Sequence, residues 1–362
     1  MEPSDSARDC AQIAGEPGML ARDLGEFGLI ARLTAGLATR PDVALGVGDD
    51  AALLDLGPDA LLVATCDAQV AGRHFLWGVA TPEEIGHKAL AVNLSDIAAM
   101  GAEPLWALVS LLLPPTLSVD ALDGIYAGMR QLAARFAVAV VGGNVAATDG
   151  PFALDVTLLG RVRRGAELRR SGGKPGDVLL VTGRLGAAAA GVLLATSGDS
   201  QETGTILADM RASARQAMVA PFPRVVEGRA LAATGVVDAM LDVSDGLAAD
   251  LSHLCAASAT GALLTAESIP VAPEAEAVAR AFGRDPLALA LTGGEDYELL
   301  FAVPPDQVAL ALDAVRAVGA DATVIGRLTE PERGMRLRLP DGAEQALEPR
   351  GWDHLRPFGR TS

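Results

Sequence analysis

The stretch Gly46-Val47-Gly48-Asp49-Asp50-Ala51-Ala52 sets two adjacent carboxylates behind two glycines and ahead of a small apolar run. Outward from it the theme recurs at Asp67, at Asp96, in Asp242-Val243-Ser244-Asp245-Gly246 and in Gly293-Gly294-Glu295-Asp296. Each is an acid, mostly beside Gly, Ser or Thr, inside an otherwise apolar segment. A carboxylate in such surroundings is costly unless it is paired or metal-bound. One alone reads as a turn or helix cap. The recurrence reads as a shared oxygen-ligand metal site.

The chain has 362 residues, half of them hydrophobic, which fits two folded domains and excludes a disordered chain. A formal charge of -17 argues against a nucleic-acid or anionic-membrane surface. It also means that anionic substrates would need bound cations. Cys10, Cys66 and Cys255 are widely spaced, neither a disulfide framework nor a zinc site, and they fit a reducing cytoplasm. The longest apolar run, at 105–113, is strand-sized, so no membrane span is expected. Residues 1–17 lack a signal-peptide core and read as a loose tail.

Periodicity predicts helices over 26–37, from Thr81-Pro82 to Met100, over 119–136, after Leu185, after Arg224 and over 246–257. Strands are expected at 42–47, 60–66, 105–113, 138–142, 152–162, 177–182, 239–244, 298–303 and 323–325. Gly142-Gly143-Asn144 reads as the turn ending its strand, and 200–205 as a loop. A basic, Gly-rich boundary falls near 163–174. The pattern is α/β or α+β in two halves: a tail at 1–20, an N-terminal domain over 21–165 and a C-terminal domain over 166–362. Lys88, Val92 and Asp96 share one helix face, with Asn93 beside them, and Lys88 is spaced to pair with Asp96.

No Walker-type loop, no Gly-x-Gly-x-x-Gly after a strand and no serine nucleophile elbow is present. The four histidines form no ligand pair. What remains is carboxylates and Gly-rich turns. Hard oxygen ligands suit magnesium, and Gly-rich turns let backbone N–H groups approach phosphate. Together they point to metal-bridged ATP chemistry.

At these residues the chain resembles the thiamine-monophosphate kinase family, of the aminoimidazole ribonucleotide synthetase superfamily. The resemblance runs from Gly25 to His354. It is carried, in order, by Gly25-Glu26-Phe27, the double-Asp stretch, Asp67 with Gly72-Arg73-His74-Phe75, the Lys88–Asp96 segment, Gly142-Gly143-Asn144, Arg170-Ser171-Gly172 with Lys174-Pro175-Gly176-Asp177, the Asp242–Gly246 stretch, Gly293–Glu298 and Gly351-Trp352-Asp353-His354. It implies an α/β (α+β), two-domain aminoimidazole ribonucleotide synthetase-like fold, with N-terminal sheets pairing across a homodimer and the active site by the domain junction. The implied reaction moves the γ-phosphoryl group of ATP to thiamine monophosphate. The implied magnesium ligands are Asp50, Asp67, Asp96, Asp242 and Asp245, with Thr65, Cys66 and Asn144 at auxiliary positions. Asp50, Asp67 and Asp245 would be catalytic; Gly143, Asn144, Arg170 and Ser244 would contact ATP; His74, Glu295 and Trp352 would contact thiamine monophosphate.

Three positions depart from the family pattern. Asn144 replaces the usual Asp, Val145-Ala146-Ala147 replaces Thr-Thr-Arg, and Cys66 replaces Thr, although a thiol is a poor magnesium ligand. Plainer readings stand beside the functional ones: His74 as a packed histidine, Trp352 as a core plug, Arg170 as a linker charge, Glu295-Asp296 as a helix-start pair. Another ATP-using enzyme of the superfamily and a non-catalytic nucleotide-binding relative are the alternative functions.

Overall fold

Strands β1 (Val43–Leu45), β2 (Ala52–Asp55) and β3 (Ala60–Val70) come first among the described residues, and β3 buries Leu61 and Val63 at alternate positions. The computed structural model describes residues 43–45, 48–197 and 201–352. The expected helix over 26–37 and the residues Cys10, Gly25, Gly46, Val47 and His354 lie outside them. Helix α1 (Pro82–Ala99), β4 (Glu103–Leu113), α2 (Val119–Arg135), β5 (Ala139–Ala147) and β6 (Ala153–Arg163) complete a six-stranded sheet of order β1-β2-β3-β6-β4-β5. Only β4 and β5 pair in parallel within it.

The second sheet has seven strands. They are β7 (Val178–Thr182), β8 (Ala239–Val243), β9 (Gly261–Thr265), β10 (Glu298–Val303), β11 (Ala322–Thr329), β12 (Met335–Arg338) and β13 (Glu344–Ala346), ordered β13-β12-β9-β11-β7-β10-β8. Between them run helices α3 (Ala187–Ser197), α4 (Gln201–Thr205), α5 (Ala208–Val219), α6 (Val225–Thr234), α7 (Leu247–Ser258), α8 (Pro273–Ala281), α9 (Pro286–Thr292) and α10 (Val308–Ala317). Residues Arg40–Gly351 form one compact unit; Trp352 is the one described residue of a second, which groups Met1–Thr39 with Trp352–Ser362.

Helix α1 positions the site. Thr81 caps it: its hydroxyl accepts the Glu84 N–H while the Glu84 carboxylate accepts the Thr81 N–H, a capping box. The helix has no amphipathic stripe because it touches both sheets and the helices α2, α5 and α6, so it is buried on nearly every side. Polar residues on such a helix need partners, and Lys88, Ser95 and Asp96 find theirs across the unit. Helix α2 crosses α1 at backbone contact. A Cβ on Gly128 would stand 1.8 Å from the Glu83 carbonyl, and one on Gly86 at 1.8 Å from the Ile125 carbonyl. Gly128→Ala is therefore expected to force the helices apart and cost about 3 kcal/mol, read as a fall in melting temperature. A parent-like melt would show that the crossing has slack.

Three expectations need correcting. Gly142, Gly143 and Asn144 lie inside β5, which runs on to Ala147, and do not form a turn. Gly143 is required there because its Cα lies against the β4 backbone: a Cβ would meet the Val109 carbonyl at 1.8 Å. The segment from Gln201 to Thr205 forms a short helix, not a loop. Lys88 pairs with Glu295 rather than Asp96.

Candidate active site

Three carboxylates converge where the two sheets meet α1. Oxygens of Asp50, Asp96 and Asp242 lie within 4.8 Å of one another. Asp50 follows the Gly48-Asp49 bend into β2, Asp96 comes from the last turn of α1, and Asp242 comes from β8. Ser95 donates its hydroxyl to Asp242 (2.6 Å), and Thr65 of β3 donates to Asp96. Asp67, on the same face of β3 as Thr65, is close enough for its charge to raise the pKa of both Asp96 and Asp242.

Arg170 answers part of this charge. Its guanidinium grips Asp50 with two nitrogens (2.7 and 3.2 Å), and its backbone N–H donates to Asp49 at 3.2 and 3.3 Å. Burial and the Asp50 charge push Asp49 up to about 7. Burial, then the neighbouring acids, push Asp96 well above the carboxylate range, and burial with the Asp50 charge pushes Asp242 up to about 8. One cation among several acids leaves negative charge to be neutralised. The donors are hard oxygens from separate elements, so the set fits magnesium.

The turn after β8 is held from within. The Asp250 carboxylate, in the first turn of α7, accepts the N–H groups of Asp245 (3.1 Å) and Gly246 (3.0 Å). The Ser244 carbonyl accepts the Glu295 N–H at 2.7 Å. A Cβ on Gly294 would meet that same carbonyl at 2.4 Å, so glycine is what lets the two turns close on each other. Asp296 turns the other way: it accepts N–H groups of Gly186 (2.8 Å) and Ala188 (3.5 Å) at the start of α3. His74 sits in the turn after β3, where its Nδ1 accepts the Val70 N–H at 2.9 Å.

Not every expected ligand is gathered in. Cys66 lies on the opposite face of β3 from Thr65 and Asp67, and its thiol contacts Asp155 at 3.1 Å. Its side chain therefore points away from the acids. Asp67, Val156, Val109 and Gly143 form one rung across four strands, so Gly143 is roughly 14 Å from Asp67. Asn144 falls on the next rung, with Ala68, Asp155 and Ser110, and the pleat puts its side chain on the Cys66 face. Trp352 is 37% exposed. Ser95 and Asp250 carry no expected role in the sequence, and Asp49 stands there only as half of the double acid. Their signal was weak: each is a polar residue next to, or about one helical turn from, a candidate acid.

The metal-free cluster has a pH signature. Asp242 holds its proton to about 8 when folded and has an ordinary value of 3.8 otherwise. Between those values the folded state binds more protons, so stability is lost as pH rises, by up to about 1.4 kcal/mol per pH unit for one such group. The melting temperature of the metal-free protein is expected to fall from pH 6.5 to 8, and magnesium is expected to flatten the fall by favouring the ionised acids. A metal-free melt that rises over this range would contradict the electrostatics.

The fold and this cleft define a class, and comparison with known proteins agrees with it. Residues 48–162 match the family model for the AIR synthase related protein N-terminal domain, and residues 174–336 match that for its C-terminal domain. The thiamine-monophosphate kinase of Salmonella typhimurium is 37% identical, over 91% of this chain and 98% of that protein. A structure described as AaThiL complexed with AMPPCP and TMP superposes with a TM-score of 0.80 at 32% identity, covering 94% of this chain and all of the other. The thiamine-monophosphate kinase structure from Stenotrophomonas maltophilia is 38% identical, with a TM-score of 0.70 and coverage of 89% and 98%. The chain belongs to the thiamine-monophosphate kinase family. Among the described residues, no helix is long and apolar enough to cross a membrane.

Proposed function

We propose that the chain transfers the γ-phosphoryl group of ATP to thiamine monophosphate, giving thiamine diphosphate and ADP. The observation that supports this most is the convergence of Asp50, Asp96 and Asp242 within 4.8 Å beside Arg170. A phosphate acceptor has a second pKa of about 6, so near neutral pH it is largely ionised and needs no strong general base. An acceptor oxygen attacks the γ-phosphorus in line, and the bond to the β-phosphate oxygen breaks. The difficulty is bringing two anions together. Magnesium, held by Asp50, Asp67, Asp96, Asp242 and Asp245 with the Thr65 hydroxyl beside them, supplies the positive charge that the chain lacks.

In this reading Asp50, Asp67 and Asp245 are the acids nearest the reacting phosphates. Arg170, Ser244, Gly143 and Asn144 serve ATP, while His74, Glu295 and Trp352 serve the acceptor. Cys66, whose thiol faces Asp155, would take part only through its backbone. The division near residue 165 is supported by the break between the two sheets, and most of the metal and nucleotide candidates lie before it in sequence. The homodimer is supported by the outer face of the first sheet, where Trp106, Leu108 and Leu112 are 44%, 41% and 49% exposed. A second copy of that sheet would cover them. A cytoplasmic location is supported by the free Cys66 and Cys255.

The test is direct: incubate the protein with ATP, magnesium and thiamine monophosphate, and resolve thiamine diphosphate by chromatography. The rate is expected to keep rising with free magnesium after ATP is fully complexed. Absence of thiamine diphosphate at any magnesium concentration would overturn the reading.

A further inference from the structure

Lys88 is 3% exposed, on a helix buried on nearly every side. A lysine so placed is rare unless its ammonium is fully engaged. Here Nζ lies 2.6 Å from Glu295 Oε1 and donates to the His74 carbonyl at 3.0 Å. The two partners come from opposite halves of the unit. His74 belongs to the turn leaving β3 of the first sheet, and Glu295 to the turn entering β10 of the second.

Both turns are otherwise tightly determined. Glu295 and Tyr297 have positive φ angles of 68° and 51°, a region that side chains adopt only when the surroundings impose it. Their N–H groups are taken by the Ser244 and Val243 carbonyls at 2.7 and 2.8 Å. The His74 and Arg73 N–H groups are taken by the Val70 carbonyl, both at 3.0 Å. These bonds fix the two backbones but leave the Glu295 side chain free to turn. The ammonium at 2.6 Å removes that freedom, and it holds the carboxylate beside the His74 turn. It also balances the Glu295 charge, so the acceptor end of the cleft adds no further repulsion against phosphate.

We infer that Lys88 is the positioning residue for the acceptor end of the cleft, locking the Glu295 carboxylate and the His74 turn into one fixed relation. The inference rests on the reading that Glu295 and His74 meet thiamine monophosphate. Lys88 itself touches neither substrate. Its removal should weaken acceptor binding without disturbing ATP or the chemical step.

The experiment compares Lys88→Met, Glu295→Gln and the double variant, with KM measured for both substrates alongside kcat. Lys88→Met is expected to raise KM for thiamine monophosphate about tenfold, with KM for ATP within about twofold and kcat within about threefold of the parent. Glu295→Gln should raise the acceptor KM as well, and the double variant should be no worse than the more severe single. Lys88→Gln keeps an N–H donor and should recover part of the loss; it carries the same comparison if Lys88→Met does not fold. Additive effects, or equal rises in both KM values, mean a general structural role and overturn the proposal. So does an unchanged acceptor KM in the Lys88 variants while Glu295→Gln shows a rise. An unchanged acceptor KM in Glu295→Gln overturns the reading of Glu295 itself, and the proposal falls with it.

Discussion

Asp242→Asn is expected to lower kcat about a thousandfold while raising the melting temperature of the metal-free protein. The two effects share one cause. Asp242 is buried, with oxygens of Asp50 and Asp96 within 4.8 Å, so in the metal-free state burial and like charge make ionising it costly, and near neutral pH it must take up a proton to fold. The amide removes that requirement and keeps the shape; its oxygen can still accept the Ser95 hydroxyl that Asp242 accepts at 2.6 Å. Its backbone, paired with Leu299 in the second sheet, is unchanged. The lost charge also weakens the hold on the cation that offsets two phosphates. Several kcal/mol of charge stabilisation is at stake, and about 4 kcal/mol corresponds to a thousandfold in rate. A variant with a tenth of the parent kcat would remove Asp242 from the machinery. A variant that melts lower than the parent without metal would show the cluster is not strained by like charge.

Arg224→Ala is expected to destabilise the fold by about 4 kcal/mol, lowering the melting temperature by about 5 °C. Arg224 sits at the start of α6. It binds the buried Glu298 through two nitrogens (2.7 and 2.6 Å) and the buried Glu227 at 3.2 Å. Its guanidinium also lies 5.8 Å from the Phe222 ring. Alanine would leave two carboxylates buried without their cation, which costs far more than the pair contributes. Glu298 begins β10 directly after the turn that carries Glu295 and Asp296, so the acceptor end of the cleft should loosen too. Arg224→Lys should restore only part, because one ammonium cannot present a planar fork to one carboxylate and reach a second. A melt within about 2 °C of the parent would show that water reaches Glu298 and Glu227 readily.

Much of the fold and part of the site were legible because their causes are local. The helix start at Thr81-Pro82, its end at Met100 and the apolar runs of β3, β4, β7 and β10 are written in a few consecutive residues, and the structure has them within a few positions. The recurrence of acids in apolar segments was equally visible. An isolated buried carboxylate is costly enough that recurrence alone implies a common purpose.

What the chain could not disclose from its order was set by distant packing. Gly142-Gly143-Asn144 has the composition of a turn, yet it runs as an edge strand because β4 lies close enough to exclude a Cβ at Gly143. Thr65, Cys66 and Asp67 are consecutive, and one residue of pleat decides that Thr65 meets Asp96 while Cys66 meets Asp155 on the far face. Lys88 lies two turns from Asp96 on one helix face, but the turn before β10 brings Glu295 to 2.6 Å and takes the ammonium instead. By itself the sequence determined which residues carry charge and most of the segments that form helix or strand, since those follow from side chains and near neighbours. Only the tertiary structure decided which acids share one space and which cation answers each. Electrostatic energy in a buried cleft depends on separations of a few ångströms between elements far apart in sequence.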